Sequence, residues 1–409
     1  MTKEQTINKQ ILDMFNDSTY QGLKAYYEKT TVFNVLGVER NETRHSAFLC
    51  WLFNSNASHG LGEEPMKKLL RLYATKMNVD DSFRIMLMTG NYHLELTDIV
   101  TEKSTSDERA DKAKRKDRMD VWATMTLKDS AGNDQSLALV IENKIYSGEE
   151  DTQTKRYHQY VASVCGEDVK PIEIFLTPSE AKGPACDTFV HITYQELLDS
   201  VIQPLALLEM PDEALLIISD YIRNLSKPST STDGKTYTVL ATSSTEKAKL
   251  MDFLKKYSQL FHLALVAGNR QKVGKDNQCR ELINGSDDLE LLAALWHSNE
   301  DLFKAVLSVL KENPSEMTFS PDIYDSVFKE TNRDTTKYNV LCNRQYVGWH
   351  LNQAKTALHI FRAYLQNNPG ASLQQLREAF PRELNNYSYF QNLIDLVKSN
   401  YPYIEIEEY

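Results

Sequence analysis

The run from Leu137 to Ile145 (LALVIENKI) constrains the fold more than any other stretch of this chain. It is short, apolar and bounded by polar turns, as expected of a strand central in its sheet. Yet it ends in charge. Side chains alternate along a strand, so Glu142 and Lys144 share a face with Ala138 and Val140, while Ile141 and Asn143 point the other way. Burying an unpaired charge at the rim of a core is costly. Glu142 and Lys144 are therefore either a local ion pair or part of a polar site.

A second strand is predicted from Met119 to Leu127, and Gly132-Asn133-Asp134 between the two is a hairpin signal. An antiparallel hairpin puts Asp120, at the start of the first strand, at the same end of the sheet as Glu142. Two carboxylates and an ammonium would converge there. A hard cation such as Mg²⁺ takes oxygen ligands, and a lysine beside it would orient a water and neutralise charge developing on a phosphate. The spacing Glu-x-Lys is weak by itself. Glu180-Ala181-Lys182 fits it too, in a loop flanked by Pro178 and Pro184. The apolar strand and the hairpin-linked Asp120 set Glu142 and Lys144 apart.

The element order reads as three helices, three strands, a helix, two strands and two helices, a mixed α/β layout. The first helix is predicted from Lys9 to Tyr27, the second from Glu42 to Phe53 with Asn41 as its N-cap, and the third from Glu63 to Met77. A strand from Tyr92 to Val100 precedes the hairpin. A helix from Asp151 to Val164 and strands Ile172 to Leu176 and Phe189 to Ile192 follow it. Pro204 is expected to stop the next helix, and another runs from Pro211 to Leu225. Pro228 to Gly234 (PSTSTDG) is the expected boundary, giving domains 1–228 and 235–409. The second is expected to be mainly helical, with a winged-helix outline over 350–409. Acidic residues there match basic ones, so it is not a basic DNA-reading face.

With 409 residues the chain is long enough for two or three domains. A net charge of −11 argues against a general nucleic-acid coat protein. Five scattered cysteines with no CxxC pair support neither a zinc ribbon nor a disulfide framework. Met1 to Tyr20 is polar and lacks the apolar stretch of a signal peptide, and no run approaches the ~20 apolar residues of a membrane span. The expectation is a cytoplasmic protein with no membrane partner.

Asp120 with Glu142-x-Lys144 on a hairpin, followed by a helix, resembles the PD-(D/E)xK nuclease superfamily. Gln153-x-x-x-Tyr157 on that helix is similar to the Gln-x-x-x-Tyr motif of its RecB-like members, and residues four apart share a helix face. Gly37 to Leu49 (GVERNETRHSAFL) and Ser58 to Gly62 (SHGLG) look like the opening of an uncharacterised bacterial family of that superfamily. Met119 stands where the superfamily name has proline. The resemblance covers roughly residues 30 to 200 and implies a restriction-endonuclease-like core: a mixed sheet flanked by helices.

The resemblance also implies roles. Glu42, Asp120, Glu142 and the Asn143 carbonyl would hold Mg²⁺ or Mn²⁺. Lys144 would position the water, and Gln153 and Tyr157 would orient the site or the scissile phosphate. The activity implied is metal-dependent hydrolysis of nucleic acid, most simply DNA, with defence against foreign DNA as a biological setting. Lys112, Lys114, Arg115, Lys116 and Arg118 crowd positive charge beside Asp120, and with Arg156 they are candidates for phosphate contact. Blander roles exist: a solvated basic loop, a first-turn Glu42 that favours the helix dipole, a core-edge tyrosine. His45 and His59 are expected to cap or pack rather than bind metal. An RNA nuclease, a binding module that does not cut, and an adaptor held by ion pairs all remain open. So does a homo-oligomer or protein partner through the C-terminal region.

Overall fold

The computed structural model describes residues 3–77, 81–105, 118–146, 148–149, 152–166, 168–178, 182–230, 237–269, 286–312, 338–351, 353–380 and 389–408. The expected central strand is in place. Strands β1 (Tyr92–Ser104), β2 (Arg118–Asp129), β3 (Asp134–Asn143), β4 (Val169–Thr177) and β5 (Val190–Thr193) form one mixed sheet in that order. The pairs β1/β2 and β2/β3 are antiparallel, and β3/β4 and β4/β5 are parallel. A parallel step needs a crossover, and the helix Gln153–Cys165 supplies it between β3 and β4. From Leu137 onward β3 is buried throughout, as its apolar run requires.

The two faces of the sheet carry separate cores. On one, Val121, Ala123, Met125, Leu139 and Ile141 meet Phe48, Leu49 and Leu52 of the helix Glu42–Phe53, and Leu69, Leu70 and Tyr73 of the helix Glu64–Lys76. On the other, Met119, Trp122, Ala138 and Val140 meet Tyr157 and Val161 of the Gln153 helix. The result is a three-layer restriction-endonuclease-like α/β core. The Glu42 helix begins where expected, because the Asn41 side chain accepts the Arg44 N–H at 3.1 Å.

Three expectations are corrected. The helix expected over Lys9 to Tyr27 is two helices, Lys3–Phe15 and Ser18–Glu28. Asp17 breaks it, its carboxylate accepting the N–H groups of Thr19 and Tyr20 at 2.7 and 3.1 Å. Pro204 does not stop its helix. The turn before it widens to a π turn over Leu198–Ile202, and a last turn, Gln203–Leu205, runs through the proline. The chain also does not part at 228–235. Its compact units are 1–329 and 330–409. Phe253, Phe261 and Leu265 of the helix Ser244–Gly268 share a core with Tyr20, Leu23 and Tyr27 and with the helices Ser286–Ser298 and Glu300–Glu312.

In the unit 330–409 a hairpin, Tyr338–Cys342 and Gln345–Leu351, turns at Asn343 and Arg344, both with positive φ. The helices Gln353–Asn367, Leu373–Ala379 and Tyr389–Asn400 follow. The last strand, Ile404–Glu408, pairs antiparallel with Tyr338–Cys342. The segment expected to have a winged-helix outline, 350–409, is thus preceded by a hairpin whose first strand pairs with its last strand. Among the described residues no helix is long and apolar enough to cross a membrane.

Candidate active site

The register of the hairpin builds the site. Val121 faces Ile141, and one further step brings Asp120 opposite Glu142. The Asn143 N–H donates to Asp120 Oδ2 at 2.7 Å, tying the two strand ends together. Lys144 lies just past β3. Its backbone N–H donates to the Leu176 carbonyl at 2.9 Å, so β4 holds the place of the lysine. Its Nζ meets Glu142 Oε1 at 2.7 Å. Glu142 is 1% exposed and Lys144 13%. The other carboxylate oxygen, Glu142 Oε2, is buried and has no hydrogen-bond partner among the described residues.

The helix Glu42–Phe53 reaches this end of the sheet with its first turn. Glu42 Oε1 accepts the Ile145 N–H at 2.7 Å, and the Glu42 carbonyl accepts from Asn143 Nδ2 at 3.1 Å. Glu42, Asp120, Glu142, Asn143 and Lys144 are thus brought together.

Electrostatics follow from burial. Burial and the neighbouring Asp120 push the Glu142 carboxyl well above the ordinary carboxylate range. Burial likewise lifts Asp120 to about 6, against the Asn143 N–H and Lys144, which favour its ionised form. For Lys144 burial disfavours the ammonium, but Glu142, Glu42 and Asp120 outweigh it and the pKa is raised. The lysine stays charged beside two carboxyls that resist ionisation together.

Gln153 and Tyr157 meet as their spacing requires. Gln153 Nε2 donates to the Tyr157 hydroxyl at 2.5 Å, and that hydroxyl donates to the Arg118 carbonyl at 2.5 Å. The pair therefore pins the crossover helix to the start of β2, two residues before Asp120. Arg118 itself is 62% exposed and ion-paired to Glu102 at 2.7 Å. Arg156 is half-buried on the same helix; against burial, the hydrogen bonds from Thr154 and Ala185 hold the Glu149 pKa below its ordinary value, and the Arg156 charge adds to them. Lys112, Lys114, Arg115 and Lys116 lie outside the described residues.

The two histidines are structural. His45 is fully buried, which pushes its pKa down to about 3. Its ring nitrogens lie 2.9 Å from the Tyr221 hydroxyl and 2.9 Å from the Glu39 carbonyl. His59 Nδ1 accepts the Leu61 N–H at 3.0 Å, leaving Nε2 to donate to the Asn54 carbonyl at 3.0 Å. Among the described residues no ready-made group of three His, Cys, Asp or Glu stands poised for a metal. The site instead offers the carboxyls of Asp120 and Glu142, the latter already sharing an oxygen with Lys144, with the Glu42 carboxylate beside them taken up by the Ile145 N–H.

Three supporting residues escaped sequence reasoning. Tyr194 donates from its hydroxyl to Asn143 Oδ1 at 2.7 Å, deep in the core. Ser46 Oγ lies 3.3 Å from Asn143 Nδ2. Glu149 accepts Thr154 N–H and Oγ1 at 2.7 and 2.6 Å and the Ala185 N–H at 2.5 Å. It caps the crossover helix in place of Thr152, whose φ of 58° takes it out of the usual cap conformation. Ser46 carried a local signal, four residues after Glu42 on one helix face. Tyr194 carried none, because its partner is far away in sequence.

A family model of the PD-(D/E)XK nuclease superfamily matches residues 30–258, more than half of the 409-residue chain. The chain belongs to that superfamily. Membership implies a nuclease, and the matched segment extends past the sheet into the helix Ser244–Gly268. No curated protein and no solved structure matches the chain.

Proposed function

We propose that the chain is a divalent-metal-dependent nuclease that hydrolyses phosphodiester bonds of DNA, with Asp120, Glu142 and Lys144 at its centre. The observation that carries this reading is Glu142 Oε2: a buried carboxylate oxygen without a partner among the described residues, beside a second carboxyl of raised pKa. A structural ion pair would satisfy both oxygens. An oxygen left open next to Asp120 suits a hard cation. Asp120, Glu142 and the Asn143 carbonyl would hold Mg²⁺ or Mn²⁺, with Glu42 as a third acid. When bound, such a cation supplies Lewis acidity toward the scissile phosphate.

The residues of the chain do the rest. Lys144 Nζ, held by Glu142, hydrogen-bonds the attacking water and the charge that develops on phosphorus oxygens. Water adds in line to phosphorus, the P–O bond to the leaving oxygen breaks, and a 5′-phosphate end results. Gln153 and Tyr157 hold the start of β2 so that Asp120 stays aimed at the phosphate. Arg118, Arg156 and the basic residues 112, 114, 115 and 116 contact the strand backbone. Defence against foreign DNA is the biological setting proposed, acting in the cytoplasm. Unchanged phage and plasmid uptake on deletion would refute that setting.

The test is cleavage of supercoiled plasmid, linear duplex, single-stranded DNA and RNA in Mg²⁺, Mn²⁺ or EDTA. Asp120→Ala and Lys144→Ala proteins, checked for folding by circular dichroism, run beside the wild type. Metal-dependent cutting of DNA that both variants lose is the expected result. Preferential cutting of RNA would reassign the substrate. Intact substrates, with calorimetry showing no metal binding that depends on Asp120, would overturn the enzymatic reading.

A further inference from the structure

Away from the candidate active site, a cavity of about 700 Å³ lies where β5 leaves the first half of β4 uncovered. It shares none of its walls with Asp120, Glu142 or Lys144. Its size falls in the range of small-molecule sites. Tyr73, Met77, Phe83, Pro171, Phe189 and Val190 make it largely apolar. Its polar groups converge from four segments.

Among its lining residues is Glu173, 1% exposed, on β4. The carboxylate is held by the crossover helix: His158 Nδ1 donates to its oxygens at 3.0 and 3.1 Å. That bond fixes the tautomer, so the opposite ring nitrogen, Nε2, is the acceptor in the neutral imidazole. Two partly exposed lysines line it as well. Lys76 is ion-paired to Glu196 at 2.5 Å, and Lys170 lies 4.2 Å from the Phe83 ring centroid. The cavity therefore presents the acceptors Glu173 and His158, the rings of Tyr73, Phe83 and Phe189, and the ammonium groups of Lys170 and Lys76. Asp187, Thr188 and His191 complete its polar lining.

That arrangement reads as one ligand. A flat ring carrying N–H donors fits between the aromatic walls with its donors toward Glu173 and His158. An anionic tail on the same molecule meets Lys170, while Lys76 is already held by Glu196 and the His191 carbonyl. A free nucleoside monophosphate has both parts. We propose that this cavity is a nucleoside monophosphate site, separate from the candidate active site. It touches the active-site scaffold directly. His158 follows Tyr157 on the crossover helix, and Glu173 pairs in register with Val140, two residues before Glu142.

The experiment uses the full chain in EDTA, so that neither turnover nor a bound cation contributes. GMP, AMP, guanosine, inorganic phosphate and a short 5′-phosphorylated oligonucleotide are titrated by calorimetry and by thermal shift. A saturable rise in Tm with a mononucleotide is expected, since a ligand that binds only the folded state stabilises it. Lys170→Glu is expected to weaken GMP at least tenfold while leaving guanosine unchanged. Glu173→Gln is expected to weaken guanosine and GMP alike. The Lys144→Ala protein is expected to bind as the wild type does, which separates this cavity from the cleavage site. Absence of binding at millimolar mononucleotide would overturn the proposal. So would tighter binding of the oligonucleotide, which would assign the cavity to strand ends, or loss of binding in Lys144→Ala.

Discussion

The buried carboxyl pair makes a prediction that inverts the usual effect of mutating a site: Asp120→Asn should stabilise the protein. Asp120 is lifted from an ordinary 3.8 to about 6, a rise of about two units. At ~1.4 kcal/mol per unit, ionising it in the folded protein costs about 3 kcal/mol that the unfolded chain does not bear. Asparagine keeps an oxygen for the Asn143 N–H and removes the charge, and it also relieves Glu142. The sign with pH follows. A carboxyl whose folded pKa is raised loses stability as pH climbs from 3.8 through 6, so the advantage of the variant is full at pH 8. It falls to roughly half at pH 5 and vanishes below the unfolded value. Urea unfolding of both proteins in EDTA across that pH range measures it. Mg²⁺ or Mn²⁺ should then raise the wild-type Tm and leave Asp120→Asn unmoved. An Asp120→Asn protein no more stable than wild type at pH 8, or a difference that does not shrink toward pH 4, would refute the reasoning.

Other outcomes follow from the same geometry. His45, buried neutral at about 3 against an ordinary 6.5, makes stability fall as pH drops below 6.5, by ~1.4 kcal/mol per unit until the folded ring protonates. His45→Gln, which keeps one donor and one acceptor, should flatten that slope in denaturant titrations between pH 7 and 4. Lys144→Ala should lower cleavage by roughly 10²–10³-fold, the scale of losing one preorganised donor, measured as single-turnover rates on plasmid. Tyr157→Phe removes the hydrogen bonds to Arg118 and Gln153 and should cost about 1–3 kcal/mol. Its cleavage defect should exceed that of Gln153→Ala, because only the tyrosine reaches the β2 backbone; equal defects would count against the pinning role.

Why some of this was legible in the sequence and some not is a matter of range. The hairpin from Arg118 to Asn143 is local: alternation, the Gly132 turn and an apolar central strand fix its register, and the register puts Asp120 opposite Glu142. Asn41 caps its helix through atoms three residues away, so the start of the Glu42 helix was legible too. The failures involve partners the chain does not announce. A run of turn residues at 228–234 looks like a boundary, yet the helix Ser244–Gly268 returns to the core formed by Tyr20, Leu23 and Tyr27. Asp17 and Pro204 fail for the opposite reason: a single residue rewrites one turn of backbone, which a pattern averaged over a helix cannot register. The site shows both limits at once. Asn143 looks like the unremarkable middle of Glu-x-Lys. Its amide is gripped by Tyr194, Ser46 and the Glu42 carbonyl, and its own N–H grips Asp120. Asp120 is therefore aimed by the neutral residue inside the motif, whose backbone N–H is placed by the grip on its own amide, and Asn143→Ala should disturb Asp120 without removing any charge.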